Sequence, residues 1–144
     1  MSTFKEKITL INAGDTAKAR DGFIPQAGVR AMTIDAMPDT GAWTLVINED
    51  VRKKLGLAIE GSIASTLADG STTVYKQTEA VKIQWKDRST TQQALVVPEA
   101  DDILLGALPL EALDLMVDPV NERLAGVHGD QPLHKLKKAS APFR

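Results

Sequence analysis

The sequence predicts an all-β domain, a closed or nearly closed barrel with one or two short helices. Short runs rich in β-branched residues recur along most of the chain, with turn residues between them. The pair Asp69-Gly70 lies between two such runs, and an Asp-Gly pair in that setting is the strongest short-range signal for a β-hairpin. Helix signals are confined to two short segments. Many short strands with closely spaced turns are typical of a barrel.

The predicted strands form pairs along the chain. Residues 62–66 and 72–76 flank the turn at 68–71, and residues 79–85 and 93–97 form a second hairpin through the polar loop 86–89. A late pair surrounds residues 118–121. In chain order, the predicted strands are 7–12, 29–35, 44–47, 62–66, 72–76, 79–85, 93–97, 115–117 and 123–127.

The two predicted helices are short. The first covers residues 49–55, because Asn48 is a favourable N-cap, acidic residues occupy its first turn, and Gly56 follows as a stop signal. Lys53 and Lys54 in its last turn suit the negative end of the helix dipole. The second covers roughly residues 109–113 and opens with a proline, which is favoured in a first helical turn.

Length and composition predict one domain of ordinary globular character. A chain of 144 residues can bury a core but is too short for two domains. Apolar residues make up 43% and charged residues 25%, which argues against extensive disorder. The net charge of −2 gives no electrostatic reason to expect nucleic acid as a partner. The absence of cysteine excludes disulfides, thiol catalysis and cysteine-ligated metals.

The two ends of the chain differ in character from its middle. Residues 1–7 are polar and charged without an apolar signal region, and no window approaches the length of a membrane span. We therefore expect a cytoplasmic protein with no membrane partner. Residues 131–144 carry two prolines, four basic residues and no acid. They predict a domain over residues 1–129 followed by a flexible tail over 130–144, either mobile or an arm that needs a partner.

Asp39, Thr40 and Gly41 are the candidate catalytic residues. Hydrolysis of peptides by carboxylates needs two that face each other and share one proton, so that one acts as base on water while the other acts as acid. Such a site requires a carboxylate on a tight loop, a hydroxyl that fixes the loop, and a residue without Cβ where two loops approach. The tripeptide has these residue types in this order.

The chain supplies this tripeptide only once. A second copy of the chain would therefore have to complete the pair, with identical loops face to face on a two-fold axis. The alternative is a simple surface turn, since aspartate, glycine and the preceding Pro38 are all common turn residues.

The surroundings of the tripeptide carry a resemblance to a known family. A predicted strand leads to residues 39–42, Asp-Thr-Gly-Ala, and is followed by a strand, a short helix and the Asp69-Gly70 hairpin. Far downstream, Ile103-Leu104-Leu105-Gly106 continues into a leucine-rich stretch and the strand at 115–118. This order resembles the retropepsin family of retroviral-type aspartic proteases, in particular their small bacterial single-domain relatives, over about residues 29–127.

The resemblance implies a role for several residues. Asp39 would be the catalytic aspartate, Thr40 the hydroxyl that locks the loop, and Gly41 the close-approach residue of the loop. The remaining implied residues bind substrate or support the loop. The substrate-binding set comprises Ala42 and the flap tip, Leu67, Ala68, Asp69, Gly70 and Ser71, and the supporting segment is Leu104, Leu105 and Gly106. The family acts as a homodimer on extended peptides, and neither a metal nor another cofactor is expected.

Pro38 is the one departure from the family pattern, which has an aliphatic residue at that position. Proline lacks an N–H group, so it either ends the strand early or lies where no ladder bond is made. It favours the second function class, a catalytically weak or inactive dimerisation or peptide-binding module on the same scaffold. Thr40, Gly41 and Ala42 favour the enzyme.

Other chemically capable residues have simpler explanations. His128 and His134 lack a patterned serine or acid for a hydrolase triad and are expected to be solvated. The acidic residues at 99, 101 and 102 do not have the spacing of a calcium loop. Asp35 belongs to a strand and is expected to face solvent or a basic partner. Trp43 and Trp85 are expected in the core or an interface.

Overall fold

The computed structural model describes residues 4–66 and 68–130. Residues 131–144, which include His134 and all of the predicted tail except Asp130, lie outside that description. The described elements, in chain order, are β1 Glu6–Asn12, α1 Ala13–Arg20, a 3-10 helix Gln26–Gly28, β2 Ala31–Pro38, β3 Leu45–Ile47, α2 Glu49–Leu55, β4 Ile59–Thr66, β5 Thr72–Trp85, β6 Arg88–Val96, β7 Ile103–Leu105, α3 Ala107–Ala112, β8 Leu115–Asp118 and β9 Arg123–Gly126.

Six strands close into a barrel, which confirms the predicted fold class. Their order is β1-β2-β7-β3-β6-β5, and pairing of β1 with β5 closes the ring. β7 runs parallel to β2, and β3 runs parallel to β6, while the other pairs in the barrel are antiparallel. β4 continues beyond β5 outside the ring, and β8 and β9 form a separate two-stranded sheet.

The core consists of the apolar side chains that these strands and helices turn inward. β1 shows the alternation expected of a strand with one buried face, since Ile8, Leu10 and Asn12 are buried and the residues between them are not. Burial of one Leu or Ile side chain contributes about 1.5–3 kcal/mol. The largest fully buried apolar residues are Ile8, Leu10, Leu45, Ile47, Leu55, Leu57, Val81, Ile83, Val96, Leu105 and Leu113.

β2 extends further than the predicted strand 29–35, which is a correction with consequences for the site. It ends at Pro38, which pairs in register with Leu105 of β7. The Asp39 N–H still donates to the Leu105 carbonyl at 3.0 Å. Because alternate residues of a strand direct their N–H groups to opposite neighbours, the missing N–H of Pro38 lies on the β1 side, where the pairing stops at Ala36. The proline therefore costs the ladder no hydrogen bond.

The middle of the sheet also differs from the prediction. The predicted strands at 72–76 and 79–85 are one strand, β5, with a register shift between Gln77 and Ala80. The predicted loop 86–89 shrinks to two residues, because Trp85 pairs directly with Arg88 and Lys86 adopts a positive φ of 52°. Short loops of this kind are hard to delimit from sequence because polar residues also occupy the ends of strands.

The helix at 49–55 is confirmed with its predicted bounds and caps. Asn48 Oδ1 accepts from Val51 N at 2.9 Å, and Gly56 takes the left-handed conformation with φ of 62°. α3 begins at Ala107, two residues before the predicted start at Pro109. Its first two residues, Ala107 and Leu108, donate backbone hydrogen bonds to the segment after the β2 loop. These bonds extend the helix at its N-terminus, and the sequence pattern does not predict them.

α1 is a helix that the sequence analysis missed. It has no apolar stripe, and its buried residue is the charged Asp15. Asn12 Oδ1 caps it by accepting from Asp15 N at 3.0 Å. The Asp15 carboxylate in turn accepts hydrogen bonds from Arg30 N, Nε and Nη2 at 3.1, 2.8 and 2.9 Å. A cap and an ion pair position this helix, and hydrophobic periodicity does not detect either.

Asp15→Asn is expected to lower the free energy of unfolding at neutral pH by about 1–2 kcal/mol, because a buried, charge-assisted set of hydrogen bonds is weakened. The hydrogen bonds from Arg30 hold the pKa of Asp15 below its usual 3.8. A lowered native pKa adds stability above the unfolded-state pKa, and this stability is lost as pH falls through the native pKa. The difference between variant and parent should therefore shrink on acidification.

Urea unfolding at pH 7 and at pH 3 measures this effect. Asp21→Asn is the matched control, since the exposed Asp21 pairs with its neighbour Arg20 and should contribute little. An Asp15→Asn penalty that stays constant down to pH 3 would contradict the linkage.

In the described part of the chain, no helix is long and apolar enough to cross a membrane.

Candidate active site

The tripeptide Asp39-Thr40-Gly41 forms a tight loop at the end of β2. The Ala42 N–H donates to the Asp39 carbonyl at 3.1 Å, which closes the turn. The Gly41 N–H donates to Asp39 Oδ1 at 2.8 Å. This bond orients the carboxylate with one oxygen toward its own loop. Asp39 is half-buried, whereas Thr40 and Gly41 are exposed.

Hydrogen bonds from the start of α3 hold the other end of this loop. The Ala107 N–H donates to the Ala42 carbonyl at 2.8 Å, and the Leu108 N–H donates to the Trp43 carbonyl at 2.9 Å. Together with the bond from Asp39 to Leu105, they attach both ends of the loop to one continuous segment, β7 and the start of α3. The loop is therefore held by backbone bonds, which are independent of side-chain rotamers.

Gly106 is a point of close approach between this supporting segment and the chain after the loop. Its N–H donates to the Thr44 carbonyl at 3.1 Å. A Cβ atom at this position would lie 2.3 Å from the Thr44 carbonyl oxygen, 2.6 Å from Thr44 N and 2.7 Å from the Ala42 carbonyl oxygen. A side chain at position 106 would therefore push the supporting segment away from the chain that follows the Asp39 loop.

The predicted supporting residues are all in this segment. Leu105 is fully buried in the core, and Leu104 pairs with Met37 of β2 and Val46 of β3. The structure thus brings the predicted loop and the predicted support together through hydrogen bonds.

A cavity of about 680 Å³ opens beside Asp39. Its wall comes from the loop, α3, β8 and the turns next to β8 and β9, and three of its residues are acidic. The lining residues are Pro38, Asp39, Thr40, Ala107, Leu110, Glu111, Asp114, Leu115, Met116, Val117, Pro119 and Val127. Apart from the loop residues, this wall was not predicted, because its members are far apart in the sequence.

Asp114 is the buried acid of the cavity wall. Its carboxylate lies 2.9 Å from His128 Nδ1, and it holds a left-handed backbone conformation with φ of 56°. His128 is exposed, as expected, and the contact gives it an acidic partner that the sequence did not predict. It links the residue after α3 to the segment after β9.

Arg88 attaches the same region to the barrel. It is buried at the start of β6, and its Nη1 donates to the carbonyl oxygens of Leu113 and Asp114 at 3.0 and 2.9 Å. Its Nη2 donates to the Gly129 carbonyl at 2.5 Å. The sequence predicts Arg88 in a polar loop, because a single arginine beside a turn carries no signal of burial.

The predicted flap tip lies at the end of the β4–β5 hairpin. Ala68, Asp69, Gly70 and Ser71 are exposed there, and Gly70 has the positive φ of 85° that an Asp-Gly turn requires. Hydrogen bonds from Ser71 lower the pKa of Asp69. Leu67, the other predicted tip residue, lies outside the described residues. The described tip residues, 68–71, do not contribute to the wall of the cavity beside Asp39.

Most of the other residues that the sequence singled out take part in surface ion pairs or in the core. Asp35 is exposed and pairs with Lys7 at 3.3 Å, as expected for a strand residue. Asp102 pairs with Lys5 at 3.0 Å. Trp85 is in the core, whereas Trp43 is 43% exposed beside the loop. Within residues 4–66 and 68–130, no group of three or more histidine or acidic side chains has a geometry that could hold a metal ion.

Comparisons with known proteins find a family match and a similar fold. A family model described as aspartyl protease matches residues 26–107, which is more than half of the chain. Among solved structures, the chain is similar to EIAV protease complexed with the inhibitor HBY-793, with a TM-score of 0.50 and 19% identity. That match covers 78% of this chain and 88% of the viral protease, and at this identity it supports the fold alone. No curated protein matches the chain.

Proposed function

Because this chain belongs to the aspartyl protease family, whose model spans its loop and supporting segment, we propose that it is an aspartic endopeptidase. Two copies of the chain each supply one Asp39, and the paired carboxylates activate a water molecule that hydrolyses a peptide bond. The observation that carries the proposal is the Asp39 loop itself. Its carboxylate is oriented by the Gly41 N–H at 2.8 Å, and its backbone is held by Leu105 and Ala107.

The chemistry follows from bringing the two carboxylates together. Two like charges in contact cannot both ionise, so the pair retains one proton. The ionised carboxylate takes a proton from water as the water attacks the carbonyl carbon, and the protonated carboxyl donates its proton to the carbonyl oxygen. The two groups titrate as a coupled unit, and activity should follow that unit between mildly acidic and neutral pH.

The exposed loop and the neighbouring strand β8 favour a two-fold dimer. Thr40 is exposed in the single chain, where its hydroxyl is free to reach a partner loop. β8 pairs with β9 along one edge, and in the described part of the chain no strand pairs with its other edge. Unpaired edges of this kind readily accept another strand.

The β4–β5 hairpin supplies the third element of the proposal. We assign residues 67–71 to a flap that closes over an extended substrate and excludes water from the carboxylates. β4 lies outside the barrel and pairs with β5, so the β4–β5 hairpin is at the edge of the sheet. A peptide or protein substrate is therefore bound between the hairpin and the Asp39 loops.

The second function class, a binding module without catalysis, was based on Pro38. The bond from Asp39 N to the Leu105 carbonyl at 3.0 Å removes the physical reason for expecting a distorted loop. This geometry supports the enzyme over the binding module.

Cleavage of an unbiased peptide pool between mildly acidic and neutral pH tests the proposal. We expect specific cuts within extended peptides, and the cut sites report the specificity directly. Well below the dimer dissociation constant, the rate should rise with the square of the protein concentration, since only the dimer has both carboxylates. A rate proportional to concentration in a protein of strictly monomeric mass would contradict the shared site.

A further inference from the structure

The cavity beside Asp39 is acidic as well as apolar. Asp39, Glu111 and Asp114 line it, and within residues 4–66 and 68–130 no lysine, arginine or histidine does so. The Asp114 carboxylate lies 2.9 Å from His128 Nδ1. Glu111, in contrast, is exposed on the last turn of α3. The apolar part of the wall is formed by residues such as Leu110, Leu115 and Met116.

Dimerisation through the Asp39 loops would bring two such cavities together. In a two-fold interface the same patch of each copy meets its own equivalent. The carboxylates of Glu111 and Asp114 would then gather near the axis together with both copies of Asp39. Like charges at an interface oppose association unless cations accompany them.

The chain carries matching cations in residues 131–144. This basic segment has four of the 17 lysines and arginines of the chain and none of its 19 acidic residues, so residues 1–130 hold 13 basic residues against 19 acidic ones. Leucine and phenylalanine alternate with the cations, at Leu133, Leu136 and Phe143. The segment therefore combines positive charge with apolar side chains, which complements an apolar cavity with an acidic rim.

The basic segment also starts within reach of the cavity. Val127 lines the cavity, and the segment begins four residues later in the sequence. Fourteen extended residues span up to about 46 Å, which exceeds the dimensions of the cavity severalfold.

We propose that the basic segment, residues 131–144, docks in the acidic cavity beside Asp39 and thereby stabilises the two-copy assembly. Its lysines pair with the carboxylate of Glu111, and its leucines cover the apolar wall of the cavity. The docking itself needs only the single chain, whereas its effect on assembly rests on the dimer of the proposed function.

Deletion of residues 131–144 tests the effect on assembly. We compare the dissociation constants of the full chain and of the chain ending at Asp130 by sedimentation, at low and at high salt. The truncated chain should dimerise about tenfold or more weakly at low salt. Salt should affect the two proteins in opposite directions, because it screens attraction in the full chain and repulsion in the truncated one. Equal dissociation constants with the same salt dependence would overturn the proposal.

A labelled peptide with the sequence of residues 131–144 tests the docking directly. It should bind the truncated chain, and Glu111→Gln should weaken this binding severalfold. Glu99→Gln is the matched control, because Glu99 is exposed and outside the cavity wall, and it should leave binding unchanged. Binding that responds equally to both variants, or no binding, would overturn the docking.

The same proteins separate this inference from the proposed function. The truncated chain should cut peptides at concentrations high enough to dimerise it. A truncated dimer that assembles as well as the full chain and cuts equally contradicts the effect of the basic segment on assembly and leaves the protease unaffected. Dimers of both chains that never cut contradict the protease instead, while the peptide-binding result still decides the docking.

Discussion

The Asp39→Asn protein is expected to fold and dimerise normally but to cut peptides at least about 10³-fold more slowly than the parent. An amide cannot take a proton from the attacking water, and in the dimer the substitution removes both carboxylates at once. The fold should survive because Asn Oδ1 can still accept the hydrogen bond that Gly41 N donates at 2.8 Å. Initial rates on a peptide substrate, with the unfolding temperature measured in parallel, report both effects.

Asp35→Asn is the matched control for this variant. Asp35 lies four residues earlier on β2, is exposed and pairs only weakly with Lys7 at 3.3 Å. Its substitution should leave cleavage unchanged. An Asp39→Asn protein that cuts as fast as the parent would show that the activity comes from elsewhere.

Mixing the two proteins tests whether the site is shared. Excess Asp39→Asn chain should draw parent chains into mixed dimers that have a single carboxylate, and cleavage should fall toward the level of the variant. Cleavage that stays proportional to the parent chain present would mean that each chain works alone.

Gly106→Ala should be strongly destabilising for a substitution that adds a single methyl group. The added Cβ would lie 2.3 Å from the Thr44 carbonyl oxygen and 2.7 Å from that of Ala42. Both are backbone atoms, so relief requires a shift of the chain and loss of the bonds from Gly106 N and Ala107 N. We expect a loss of about 3 kcal/mol of stability and a fall of about 10 °C in the unfolding temperature. Cleavage should fall further than unfolding explains, because the Asp39 loop loses its support.

Gly28→Ala separates this effect from the general cost of replacing glycine. A Cβ at Gly28 would meet Pro25 and Ile24 at 3.6 and 3.7 Å, which is ordinary contact. Its stability should change by less than about 0.5 kcal/mol. Thermal unfolding and peptide cleavage of both variants provide the comparison. Similar melting temperatures and cleavage rates for Gly106→Ala and Gly28→Ala would contradict the close approach of Gly106 to the chain after the Asp39 loop.

The sequence predicted the elements that have local causes. α2 was predicted with its bounds because Asn48, the acidic first turn and Gly56 are all local signals. The β4–β5 hairpin was predicted because an Asp-Gly turn dictates its own backbone conformation, seen in the φ of 85° at Gly70. α1 was missed because a cap and a pair with the distant Arg30 position it.

The sequence by itself therefore determined the barrel class, the family and the loop that carries the candidate aspartate. These depend on the alternation of apolar and polar residues, on turn residues and on a short motif, and each of these signals comes from residues that are close together in the sequence. Only the tertiary structure decided that Pro38 costs the sheet no hydrogen bond, that Gly106 admits no side chain, and that Glu111 and Asp114 share a cavity with Asp39. Each of these depends on segments more than 60 residues apart in the sequence, which only the closed sheet brings into contact.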